Sequence, residues 1–176
     1  AIFVIMSGLP ENTVAKKAIE TIDLEDFFPS RAQVTGFDLK DLLFKGLVLK
    51  EKDFRSAVRT TDWSAHADQV VYLYCSTDAI VPMWAYMLLT AQIESAGGRA
   101  VVADSAGAAM EQVAVEAIQA MDTAPYEGKR ILVKGCGDLA KSSAVYVAIT
   151  RRLGPIVRSL AYGEACSSVP IHKNPR

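Results

Sequence analysis

The chain has 176 residues, 51% of them apolar and 22% charged, with 19 Lys and Arg against 20 Asp and Glu for a net charge of −1. That composition excludes a disordered chain, and the length suits a single domain over 1–176, with 1–10 a loosely attached N-terminal extension. Near-neutral charge leaves no electrostatic case for a nucleic-acid partner or an anionic membrane. Three cysteines, too few for a disulfide framework and odd in number, point to a reducing, cytoplasmic compartment.

In chain order, the opening residues Ala1 to Ile5 are apolar but lack a basic region or cleavage site, which makes a poor signal peptide. Met6-Ser7-Gly8 reads as a natural start. Ile19–Leu24 and Gln33–Leu39 have the look of short strands, Asp38–Phe44 of a helical turn, and Glu51–Thr60 of a short helix with Phe54 and Val58 on one face. Val70–Tyr74 is a β-branched apolar run, predicted as a buried strand. The apolar stretch Ala79–Ile93 is 15 residues long and holds Pro82, Thr90 and Gln92, too short and too polar for a membrane span. It predicts a core helix over about 81–96, stopped by Gly97-Gly98. Ala100–Ala103 follows as a strand. Ala106–Met121 is an amphipathic helix with Met110, Val113, Ala114, Ile118 and Met121 on its apolar stripe. Arg130–Lys134 is a strand, Ser143–Leu153 a helix ending before Gly154-Pro155, and Ile156–Tyr162 the last strand before an irregular tail.

Alternating strands and helices predict an α/β fold: a mainly parallel, mixed sheet of four or more strands, helices on both faces, and an antiparallel N-terminal edge. Two stretches also resemble each other. Val70–Cys75 followed by Asp78, Tyr86 and Thr90 parallels Arg130–Cys136 followed by Asp138, Tyr146 and Thr150, with a one-residue gap.

Parallel sheets collect ligands at their C-terminal edge. Cys75 and Cys136 end two predicted strands there, ahead of helix N-termini that favour thiolate, and Cys166 follows the last strand. Three chemistries compete. A three-thiolate centre of Cys75, Cys136 and Cys166 suits zinc, with Asp78 or Glu164 as a further ligand or supporting partner. A reactive thiol would serve redox or nucleophilic chemistry, with His66 and His172 the available bases. Cysteines that are simply core would leave a non-catalytic module for a small-molecule ligand or for subunit interaction, and a homodimer is the base-rate assembly. These residues alone do not decide between enzyme and binding module.

Gly135-Cys136-Gly137-Asp138-Leu139-Ala140 matches a variant of the dinucleotide fingerprint, and with Lys141-Ser142 it is one residue from a phosphate-binding P-loop. Neither has its context. Pro155 stands where the dinucleotide motif wants an acid, and no further strands follow to carry a P-loop's metal-binding Asp. A Gly-rich strand-to-helix turn is the simpler account. Trp84 and Tyr86 read as core, and Leu24-Glu25-Asp26 as a turn.

Several longer strings are more specific. They are Asp23-Leu24-Glu25-Asp26-Phe27-Phe28-Pro29, Phe37-Asp38-Leu39-Lys40-Asp41, Lys50–Arg55, Cys75–Tyr86, Lys134-Gly135-Cys136 and Tyr162–Pro170. On these the chain resembles a family of uncharacterised bacterial proteins, domain of unknown function number 2480, over Ile22 to Lys173. The resemblance implies no reaction. Its pattern includes Cys75, Asp78, Cys136, Glu164 and Cys166 but not His66 or His172. Its loop after Cys136 contains proline, whereas Ala140-Lys141-Ser142 stands here. Gly135-Cys136-Gly137 and Tyr74-Cys75-Ser76 are also similar to pieces of three-cysteine iron–sulfur scaffold proteins, in a different order.

Overall fold

The computed structural model describes residues 19–135, 137 and 142–175. They form seven strands and four α-helices: β1 Ile19–Asp23, β2 Val34–Asp38, α1 Glu51–Thr60, β3 Val70–Tyr74, α2 Met83–Ser95, β4 Arg99–Val102, α3 Ala106–Ala120, β5 Arg130–Lys134, α4 Ser143–Leu153, β6 Ser159–Glu164 and β7 Ser167–Lys173. Short 3-10 turns follow β1 and β2. The strands divide between a three-stranded sheet, order β2-β3-β4, and a four-stranded sheet, order β1-β5-β6-β7. Two compact units result. One is Phe27–Ala117, and the other is the described part of Ala1–Asp26 with Ile118–Arg176.

In the first unit β3 runs parallel to β2 and to β4. The side-chain period of two sends Val71 and Leu73 to one face and Val70 to the other. Val71 and Leu73 meet Phe54 and Val58 of α1 and Ala85, Leu89 and Ile93 of α2. Ala85, Leu89 and Ile93 recur every four residues, which is why they share one helix face. On the opposite face Val70 and Val101 pack against Ala109 and Val113 of α3. Helices thus cover both faces of this sheet. Gly97 ends α2 in the left-handed region (φ +87°), and a Cβ on Gly98 would lie 2.5 Å from the His66 carbonyl oxygen.

In the second unit β5 lies parallel to β1 and β6, and α4 carries the chain from β5 to β6. Val145, Ala148, Ile149 and Leu153 are the buried face of α4. The two similar stretches of sequence therefore occupy the same topological place. Each supplies the central strand of three parallel strands and a helix leading to the next strand in the same sheet.

Two sequence expectations are corrected. The N-terminal strands pair in parallel; the antiparallel edge is at the C-terminal end, where β7 pairs with β6. The tail is not irregular, because residues 167–173 form that strand. Elsewhere the predicted elements recur within a few residues, Glu51–Thr60 without any change. No helix among the described residues is long and apolar enough to cross a membrane.

Candidate ligand site

The thiols sit on different elements. Cys75 follows β3 in the three-stranded sheet, and Cys136, which lies outside the described residues, follows β5 in the four-stranded sheet. Cys166 occupies the two-residue turn of the β6–β7 hairpin and is exposed. Asp78 and Glu164 are exposed as well. The single sheet edge expected to gather the thiols is therefore two edges, one in each sheet. Among the described residues no group of three or more His, Cys, Asp and Glu side chains is placed to hold a metal ion.

At the first edge, Thr77 Oγ1 donates its proton to the Gly46 carbonyl at 2.7 Å, and Cys75 Sγ lies 3.4 Å from the same Thr77 oxygen. A hydroxyl has one proton to give. The thiol is then the donor of the second contact. Tyr86 is near, its phenol pushed up by burial and by Cys75. Asp38, at the end of β2, accepts from the Lys40 and Ser76 backbone N–H groups at 3.0 and 3.1 Å. Burial works to raise its carboxyl, but the Ser76 and Lys40 hydrogen bonds outweigh that and hold it below the ordinary carboxylate range.

His66 has a packing role. Its ring lies 5.8 Å from Trp63 and 6.2 Å from Phe37. Trp84 and Tyr86 pack against the first unit's core, as the sequence suggests.

At the edge of the four-stranded sheet, Lys134 bonds Asp23 at 3.0 Å. That bond, with the Glu25 N–H, lowers the Asp23 carboxyl. The carboxylate of Glu25 lies against Gly137, so close that a Cβ there would meet Glu25 Oε1 at 1.9 Å. An acid in that position opposes a second anion, which counts against the phosphate-loop likeness. Residues 138–141 of that likeness lie outside the described residues.

Beside this edge, between α4 and the β5–β7 strands, is a pocket of about 290 Å³ lined by Val133, Tyr146, Ile149, Thr150, Leu160 and Tyr162, with Ala161 and Ile171. Strand register explains the floor. Val133 pairs with Tyr162 and Ile131 with Leu160, so these side chains share the face that α4 covers. Tyr146 and Thr150 are one helical turn apart and form the opposite wall. The Tyr146 and Tyr162 rings meet edge to face, with centroids 5.4 Å apart. The Tyr146 hydroxyl donates to the Gly135 carbonyl at 3.4 Å, which ties the wall to the loop that leads to Cys136. The cleft is half open, mostly apolar and carries a few hydroxyls, a composition that binds by shape and orients by hydrogen bonding. The repeat had marked Tyr146 and Thr150 in the sequence. Tyr162 carried no comparable signal, because its place in the wall depends on the pairing of β6 with β5.

A family profile described as "Protein of unknown function (DUF2480)" matches residues 10–174. No curated protein matches the chain. No solved structure matches it.

Proposed function

We propose that this chain, which belongs to the DUF2480 family of unknown function, is a binding module for a small, largely apolar molecule held between α4 and the β5–β7 strands. The observation that carries this reading is the half-open, largely apolar pocket with Tyr146, Thr150 and Tyr162 among its lining residues. Its volume of about 290 Å³ is at the small end of ligand pockets, which run from roughly 300 to 1,000 Å³. It lies beside the strand ends where α/β proteins place ligands. A ligand of this class carries a ring or short branched chain and one polar group for a tyrosine or threonine hydroxyl.

A three-thiolate zinc centre takes second place. It has donor chemistry in its favour and no described cluster behind it.

The test is a titration of the ¹⁵N-labelled chain with benzyl alcohol, indole and cyclohexanol. Saturable shifts centred on Tyr146, Thr150 and Tyr162 are expected, and Thr150→Phe, which fills the exposed rim, should remove them without unfolding the chain. Shifts scattered over the surface, or undiminished in Thr150→Phe, would count against the pocket. Stoichiometric zinc in protein purified without chelator, lost in Cys136→Ser, would put the metal reading first.

A further inference from the structure

The opposite face of the same sheet carries a second, chemically different feature. Strand register places Ile19, Arg130, Ser159 and Lys173 in one row across the four strands. The next row on that face is Thr21, Leu132, Ala161 and Pro170. A groove of about 560 Å³ runs along these rows, lined in part by Leu132, Ala161 and Pro170 and by Arg130, Arg158 and Lys173. No Asp or Glu is among its described lining residues.

Two acids of this unit are already paired. Glu20 pairs with Lys129 at 2.7 Å and Asp23 with Lys134 at 3.0 Å. Among the described residues Arg130, Arg158 and Lys173 make no ion pair. The unit that contains this sheet, 1–26 with 118–176, holds eleven Lys and Arg against nine Asp and Glu, while 27–117 holds eight against eleven, so the small cationic excess lies in this unit.

The backbone that carries these cations is fixed. Arg130 and Lys173 flank Ser159 on neighbouring strands, about 10 Å apart across two strand spacings. The Arg158 N–H donates to the Lys129 carbonyl at 2.7 Å, and the Asn174 side chain donates to the Gly154 and Val157 carbonyls at 2.9 and 2.6 Å. Three like charges held beside apolar side chains repel one another until an anion joins them. Guanidinium groups suit carboxylate and phosphate oxygens, and a preformed lining lowers the ordering cost of binding.

We infer that this groove is a binding site for a small organic oxyanion, a carboxylate or a phosphate ester with an apolar body, clasped by Arg130, Arg158 and Lys173 over Leu132 and Ala161. The inference does not rest on the pocket under α4, which shares Leu160, Ala161 and Ile171 with this groove but has no Lys or Arg among its described lining residues.

Phenyl phosphate and phenylacetate are the probes, with inorganic phosphate and benzyl alcohol as controls for charge without an apolar body and the reverse. Titrated into the ¹⁵N-labelled full chain at low salt, an aromatic anion should shift the amides of Arg130, Leu132, Ser159, Ala161 and Lys173 saturably. It should bind more tightly than either control, and the tighter of the two aromatic anions identifies the headgroup. Arg130→Gln with Lys173→Gln, both on the sheet surface, should weaken binding at least tenfold while leaving the rest of the spectrum in place. Ser159→Glu, which puts a negative charge between the two cations, should do the same. Thr150→Phe should leave this binding unchanged. Three outcomes overturn the inference: affinity unchanged in the double variant and in Ser159→Glu; phenyl phosphate no tighter than inorganic phosphate; or shifts at these amides that follow protein concentration in the absence of anion, which would mean that a second copy of the chain covers the face.

Discussion

The Cys75 thiol donates to the Thr77 hydroxyl, whose own proton goes to Gly46, whereas Cys166 stands exposed in a hairpin turn. Alkylation requires thiolate and access, so the two should differ. In a mass-spectrometric time course with iodoacetamide, Cys166 is expected to react at least tenfold faster than Cys75, and Thr77→Val to narrow the gap by removing the acceptor. Equal rates would show that neither the Thr77 contact nor the lower exposure of Cys75 distinguishes the two thiols. A packing prediction belongs at the same scale. Trp63 is buried and its indole N–H donates to the Val58 carbonyl at 2.8 Å. Trp63→Phe keeps an apolar ring but removes that donor, at a cost of about 1–3 kcal/mol. Urea unfolding checks it, and a change within error would mean that water reaches the carbonyl. Much of this scale was readable beforehand. Phe54 and Val58 share a helix face by spacing alone, but no spacing reveals that Thr77 turns toward Gly46.

Elements with a strong internal period were legible from sequence. The apolar stripe of α3 and the five-residue run of β3 state their own structure. The β7 strand does not: Ser-Ser-Val-Pro-Ile-His-Lys has a proline, is exposed at every position and shows no alternation. Its order comes from pairing with β6, a property of two segments rather than one. Parallel or antiparallel pairing of β1 was hidden for the same reason. Carboxylates at element ends give this scale its pH dependence. Asp23 and Asp38 are both held below the ordinary range by the partners described above. A folded-state value below the unfolded one stabilises the fold fully above about pH 4, and that contribution is lost as pH falls through the folded value. Asp38→Asn should therefore be less stable than the parent chain at pH 7, and by a smaller margin at pH 3. The same deficit at both pH values in urea unfolding would show that shape, not charge, matters at this position.

Across the whole chain, what escaped sequence reading was which strands are neighbours. Two strand–loop–helix stretches were visible as a faint repeat, but nothing in Val70–Tyr74 or Arg130–Lys134 says that each is central to its own sheet. The α/β class was legible because alternation is a chain-wide pattern. Whether the cysteines share an edge was not legible, because that depends on sheet membership. Sheet position also sets local stability. Strands β3 and β5 are hydrogen-bonded on both sides and flanked by parallel neighbours, whereas β7 has one partner among the described residues. Native-state hydrogen exchange should find the slowest amides in β3 and β5 and faster exchange in β7. Protection in β7 equal to that in β5 would mean that its outer side is covered.

That outer side has a further consequence. An exposed edge strand is a template for other chains, and long flat ones seed aggregates. Here Pro170 lacks an N–H, the β6–β7 ladder shifts register between Leu160 and Ala161, and Lys173 adds a charge at the strand's end. Each interrupts the straight, fully bonded rail that an incoming strand would need. The sheet can leave β7 open and still resist growing into a fibre.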